Sequence, residues 1–347
     1  MGRIILGGSS MLIDKDVIPG YPLSWQARAL TGLMRGTLKP ASSLLMRHPI
    51  ALSGAARLGD LARMVKVPHP EQVTIEPATF SACGGEWVRG GPELDEGKVV
   101  LYFHGGGYFS CSPRTHRSIT WRLSVAAGRP VLALDYRQGP VHRLADSLSD
   151  ALDAYDCLLR RGFDPGCIVL AGDSAGGHLT LATLLALRDQ GTPLPGAAVC
   201  LSPWADLTDV PRRANRWQDP MLPAGRVRWL ARRWTSGLDP WDPLVSPVHG
   251  DFTGLPPLMI VTGSTEVLRD EGRQVARRAR LAGVPVRYEE WPRMPHVFPI
   301  LADVLPEARL AFEHVARFLA AVGASSVPTS VPTSMPTSVP AGDSAAA

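Results

Sequence analysis

The sequence predicts an α/β fold, a mostly parallel sheet with helices on both faces. Three observations carry this. Short, nearly all-apolar runs such as Val99–Phe103 alternate with segments of helical length, the pattern of strands buried on both sides. The 347 residues are enough for one core of about 250–300 residues plus an addition. Another apolar run, Cys167–Leu170, passes through Ala171-Gly172-Asp173-Ser174-Ala175-Gly176-Gly177 straight into the helical stretch 178–187.

Composition narrows the function classes. Apolar residues make up 45% and charged residues 20%, as in an ordinary soluble enzyme. The net charge of +4 is spread along the chain, and the densest basic stretch, Arg226–Arg233, is interleaved with Val227, Trp229 and Leu230. That spacing predicts an amphipathic helix with a solvated face. With no binding motif beside it, no nucleic-acid partner is expected. The five cysteines are odd in number and form no Cys-x-x-Cys pair, so neither a disulfide framework nor a zinc site is expected. Residues 1–8 lack the apolar core of a signal peptide, and no run is long enough for a membrane span. The expectation is a reduced, cytoplasmic compartment. Whether the chain forms a homo-oligomer stays open.

Residues 1–20 carry no firm pattern. From Leu23 to Val65 the apolar spacing is helical (Trp25, Ala29, Leu30, Leu33 and Met34, then Leu58, Leu61, Met64 and Val65), punctuated by Pro40 and Pro49. After Pro68 and Pro70, Val73–Glu76 and Glu86–Val88 alternate as an antiparallel pair of strands would. Strands then follow at 99–103, 131–134, 167–170, 197–201, 258–261 and 286–289, with helices at 115–127, 144–161, 178–187, about 271–282 and about 306–322. The connection 204–254 is long for a βα link and predicts structure of its own. It holds Trp217, Trp229, Trp234 and Trp241, most of them expected in the core of a small helical addition, with one or two lining an apolar pocket. The repeated Val-Pro-Thr-Ser of the last 24 residues predicts a disordered tail over 324–347.

Ser174, between glycines on a strand-to-helix turn, has the form of a nucleophile elbow, which presents a hydroxyl at a helix N-terminus. Such a serine needs a base, an acid to orient it, and donors for the oxyanion. His104-Gly105-Gly106-Gly107 follows an apolar strand and exposes backbone N–H groups, and the N–H of Ala175, next after the nucleophile, completes a donor set of this kind. His104 itself reads as a structural residue that fixes the loop. His296, in the loop after the last strand, is the base in the required chain order. His178 is expected to point away, His249 lies in the long connection and His314 is mid-helix. Glu266, three residues past Gly263, is the first candidate for the acid. Asp270 is second, because it stands where helix capping also explains it, and Asp206 is third.

With these residues assembled, the chain resembles the hormone-sensitive-lipase branch of the α/β-hydrolases, microbial carboxylesterases with a helical cap. The resemblance rests on His104–Gly107, Ser112–His116, Asp135–Arg137, Gly172–Gly177, Ser202–Trp204, Asp242–Pro247, Leu255–Pro257 and Asp270-Glu271. It implies an eight-stranded, mostly parallel sheet, with a core of 71–203 and 255–323. It also implies a cap built from N-terminal helices in 1–70 and the insertion 204–254. The reaction implied is hydrolysis of short- to medium-chain esters without a cofactor or metal, a small-molecule ester being the partner. By the loop's family role, the N–H groups of Gly106 and Gly107 join Ala175 in the oxyanion hole. The same machinery serves amidases and lactonases, and ligand-binding receptors arise on the scaffold when the triad is broken. Two departures stand out. The family's usual acid is aspartate, whereas Glu266 occupies that loop. The usual Leu-Ala-Pro-Glu-His-Pro after the arginine reads Gln138-Gly139-Pro140-Val141-His142-Arg143, which puts a supporting ion pair beneath the oxyanion loop in doubt.

Overall fold

In a computed structural model of the chain, residues 15–20, 22–45, 69–212, 215 and 218–325 are described. Nine strands form one sheet among them: β1 (Lys15–Val17), β2 (Thr74–Thr79), β3 (Gly84–Arg89), β4 (Val99–Phe103), β5 (Val131–Asp135), β6 (Ile168–Asp173), β7 (Ala197–Leu201), β8 (Leu258–Gly263) and β9 (Val286–Trp291). Their order is β1-β9-β8-β7-β6-β4-β5-β3-β2. β2 and β3 pair antiparallel, as do β3 and β5, and every other neighbour is parallel.

The apolar runs work as two-faced strands. Along β4, Val99, Leu101 and Phe103 point into one core and Val100 and Tyr102 into the other, because side chains alternate across a sheet. The first core is covered by α4 (Leu144–Arg160), α5 (Ala175–Asp189) and α7 (Arg269–Leu281). The second is covered by α3 (Arg117–Ala127) and α8 (Pro306–Ser325). Parallel strands all present their carboxyl ends on one side, and the candidate site lies there.

Two more helices, α1 (Trp25–Gly36) and α2 (Leu38–Leu45), precede the core. Ser24 caps α1 by accepting from the Ala27 N–H, and its own N–H and hydroxyl both donate to Glu307 on α8. α2 meets the 204–254 connection: Lys39 donates to the Asp219 carbonyl and Ser42 to that of Met221. The connection forms α6 (Ala224–Trp234).

Several expectations need correction. β1 is a ninth strand within 1–20, where no pattern was readable, so the N-terminal 70 residues are not helical throughout. α8 runs through Ser325, two residues into the stretch read as tail. Trp25 and Leu33 lie on the apolar stripe of α1, yet both are exposed, and Ala27 and Met34 carry its burial. Leu58, Leu61, Met64, Val65, Trp217 and the Val-Pro-Thr-Ser repeats fall outside the described residues.

Candidate active site

The site begins with the turn from β6 to α5. Ser174 has φ 52° and ψ −115°, a positive-φ conformation that residues other than glycine rarely adopt. Its N–H donates to the Leu201 carbonyl at 2.9 Å, and its carbonyl accepts from Trp204 and His178. The flanking glycines are required by close packing. A Cβ on Gly172 would lie 2.3 Å from the Gly176 carbonyl oxygen, and one on Gly176 would lie 1.9 Å from that of Phe103. Ser174 alone of this turn is partly exposed.

His296 lies between β9 and α8, and its Nε2 is 2.8 Å from the Ser174 hydroxyl. Its Nδ1 is 2.8 Å from Glu266 Oε2. Glu266 is fully buried after β8, and its Oε1 accepts from the Gly263 N–H at 3.1 Å. Burial pushes Glu266 above the ordinary carboxylate range, against hydrogen bonds from His296 and Ser202. Burial pushes His296 down, but its hydrogen bond to Glu266 and the carboxylate charge outweigh that and hold it above its ordinary value. The two shifts oppose each other, since a harder-to-ionise Glu266 is a weaker anchor. The short contact and the donors around the carboxylate favour an ionised Glu266 with His296 raised. A hydroxyl, an imidazole and a buried carboxylate in this series can pass a proton from the hydroxyl to the ring.

The other candidates lie elsewhere. Asp270 is 44% exposed at the start of α7 and pairs with Arg269 and Arg273. Asp206 is buried but accepts from Thr208 and lies 3.8 Å from His249. His178 is buried between Tyr108 and the Val245 carbonyl, and burial pushes it down to about 4, so the ring is neutral. His104 stacks on Tyr136, whose hydroxyl holds the His104 carbonyl at 2.6 Å. Among the described residues no group of three or more His, Cys, Asp or Glu side chains could hold a metal ion, no disulfide is formed, and no helix is long and apolar enough to cross a membrane.

Facing Ser174 is the loop 104–107. Gly106 has φ +115°, and a Cβ there would lie 2.0 Å from the Ser110 carbonyl oxygen. Among the described residues the N–H groups of Gly106 and Gly107 meet no acceptor, and Ala175 stands at the first position of α5, where helix geometry leaves its N–H free. The loop is held from behind by Asp173, whose carboxylate accepts from the Gly105 N–H, the Tyr102 hydroxyl and His116.

Above the serine is a cavity of about 370 Å³, whose walls include Met34, Leu38, Phe109, Leu222, Leu230 and Ile300. Trp204 also lines it, but of the tryptophans singled out in the connection, neither Trp229, Trp234 nor Trp241 does. A larger surface cleft, about 570 Å³ at the β1–α7 edge, has no serine, cysteine or histidine in its walls.

Sequence reasoning missed several supporting residues. Asp219, fully buried, accepts from Val267, Met221 and Leu222 N–H groups and so fixes the turn after Glu266. Asn215 donates to the carbonyls of Ser264 and Glu266. The only available signal was the turn chemistry of Asp219-Pro220 and Asn215 within a long connection.

Fold and candidate site point to a class: an α/β protein that presents a serine at a strand-to-helix elbow, 2.8 Å from a histidine. The chain belongs to the α/β-hydrolase family, whose description, alpha/beta hydrolase fold, matches residues 100–300. It is 48% identical over 255 residues to an acetyl-hydrolase of Streptomyces hygroscopicus, covering 73% of this chain and 83% of that one. Among solved structures it resembles the esterase EstE5 soaked in ethyl alcohol, with TM-score 0.80, 34% identity and 87% and 99% coverage. It also resembles an esterase from the bacterial hormone-sensitive lipase family, with TM-score 0.77, 36% identity and 86% and 98% coverage. The chain is an enzyme of the carboxylesterase and lipase-like hydrolase type.

Proposed function

We propose that the protein hydrolyses short- to medium-chain carboxylic esters through Ser174, His296 and Glu266. The observation that carries this reading is the pair of 2.8 Å contacts that join the elbow serine to His296 and His296 to a buried carboxylate. His296 takes the Ser174 proton as the oxygen attacks the ester carbonyl. The tetrahedral oxyanion is held by the N–H groups of Gly106, Gly107 and Ala175. Glu266 keeps Nδ1 protonated, orients the ring and stabilises the imidazolium, which then gives its proton to the leaving alcohol. Water, activated by the same ring, releases the acid from the acyl-enzyme and restores the serine. The residues in these roles need neither metal nor cofactor.

A cavity of about 370 Å³ is small for a ligand site, where about 300–1,000 Å³ is usual, and its walls are mainly apolar. That favours short acyl groups. Helices α1 and α2 with the 204–254 connection act as the cap over it. A series of p-nitrophenyl esters from acetyl to dodecanoyl tests the reading. The expected result is kcat/KM highest from acetyl to hexanoyl and falling steeply beyond. Turnover confined to anilides or lactones, or none with any ester, would overturn it.

A further inference from the structure

The departure at 138–143 and the tryptophans of the connection are left over once the reaction is accounted for, and the structure brings them together. On α6 the inward stripe is Val227, Leu230 and Ala231, then Trp234, while Arg228 and Arg232 face out to Asp209. Val227 and Leu230 reach the cavity. Trp234, one turn further on, lies instead against the back of the oxyanion loop, where its indole Nε1 donates to the Gly107 carbonyl at 2.8 Å. The ring lies over Gly139: a Cβ there would sit 2.3 Å and 2.4 Å from two atoms of its six-membered half. The glycine of Gln138-Gly139-Pro140 thus makes the space that the indole fills. Its neighbour Gln138 donates to the Cys111 carbonyl at 3.3 Å, at the far end of the same loop. Val141, by contrast, is 83% exposed and braces nothing.

The geometry points to Trp234 as a positioning residue for the oxyanion hole, seated on Gly139 and acting through the Gly107 carbonyl. Gly106 (φ +115°) and Gly107 (φ +63°) have no side chains to hold them, so their N–H directions are set by what grips the loop on either side. Asp173 grips it at the Gly105 N–H, the Ser110 hydroxyl at the Gly106 carbonyl, and Trp234 at the Gly107 carbonyl. Of these three, Trp234 comes from the 204–254 connection. Through it, the segment that shapes the cavity also holds the donors that meet the developing charge. Oxyanion donors act only within a few tenths of an ångström of their best distance, so loss of one grip weakens transition-state binding more than substrate binding. The inference rests on the hydrolase reading above.

The test is Trp234→Phe in the full chain, which keeps an aromatic ring but loses the N–H. With p-nitrophenyl butyrate, kcat should fall about 3- to 10-fold, the weight of one neutral hydrogen bond, and KM should change by less than about twofold. Affinity for a trifluoromethyl ketone, whose adduct carries the oxyanion, should fall by the same factor as kcat/KM. Gly139→Ala should reproduce the loss by displacing the indole, yet add less than about twofold in the Trp234→Phe background, which lacks the colliding atoms. An unchanged kcat in Trp234→Phe, a loss confined to KM, or losses that multiply in the double variant would overturn the positioning role while the wild type still turns over. A wild type that turns over no ester would instead overturn the hydrolase reading itself.

Discussion

Replacing Glu266 with glutamine changes almost no volume and isolates what the carboxylate does. In the wild type, Oε2 accepts from His296 Nδ1 and Oε1 accepts from the Gly263 N–H at 3.1 Å, both in a fully buried site. Glutamine has one acceptor oxygen for these two donors and for the Ser202 hydroxyl. If its oxygen faces Gly263, the amide NH2 faces Nδ1, which must then accept. The ring proton moves to Nε2, and the ring can no longer take the Ser174 proton. If its oxygen faces His296, two N–H groups meet in a dry pocket, and the imidazolium still lacks its negative partner. The first arrangement blocks the base and the second leaves its imidazolium unstabilised, and an amide in place of a triad acid costs about 10⁴-fold in kcat where the geometry is kept. We therefore expect Glu266→Gln to lower kcat for p-nitrophenyl butyrate by about 10³- to 10⁴-fold. Asp270→Asn, at an exposed pair with arginines, should stay within about twofold. Circular dichroism of both variants establishes that they are folded. Glu266→Gln within about threefold of wild type, or Asp270→Asn the more damaging, would refute the reasoning.

Three further outcomes follow from the same geometry. His296 must be neutral to accept the proton, so kcat/KM rises with pH through its pKa; because Glu266 outweighs burial, the midpoint of that limb should lie above 6.5, and a midpoint below it would contradict the coupling. Gly106→Ala puts a methyl group 2.0 Å from the Ser110 carbonyl oxygen at a φ of +115°, and should cost about 10²-fold or more in kcat as donors leave the oxyanion position; wild-type kcat would exclude the loop from that role. Val227→Phe fills part of the 370 Å³ cavity and should raise the acetyl-to-hexanoyl ratio of kcat/KM about 10-fold or more; an unchanged ratio would place the acyl chain elsewhere.

Much of this architecture was legible because its signals are local or strongly periodic. Val99–Phe103 and Ala197–Leu201 are apolar throughout since both faces of a parallel strand are covered, and the structure buries every residue of each. The elbow was readable because close backbone approach admits only glycine at 172 and 176. Chain order and strand ends were enough to single out Glu266 and His296, and the structure brings both to Ser174. What stayed hidden depends on partners distant in sequence. Lys15-Asp16-Val17 has no strand pattern of its own and pairs only because the edge of β9 offers a parallel ladder. Trp234 reads as one more apolar residue on a helical stripe, and only the fold aims its N–H at a carbonyl 127 positions away. Asp219 is another such case, because a carboxylate that fixes a remote turn leaves no mark on its own neighbours.

The central claim is that Ser174 is an activated nucleophile. The most direct measurement is titration of the folded chain with a fluorophosphonate, followed by peptide mass analysis. We predict a single equivalent bound per chain, located on Ser174, with loss of ester turnover in step with labelling and no labelling of Ser174→Ala. Full ester turnover with Ser174 unlabelled, or label on another serine that tracks the loss of activity, would contradict the account.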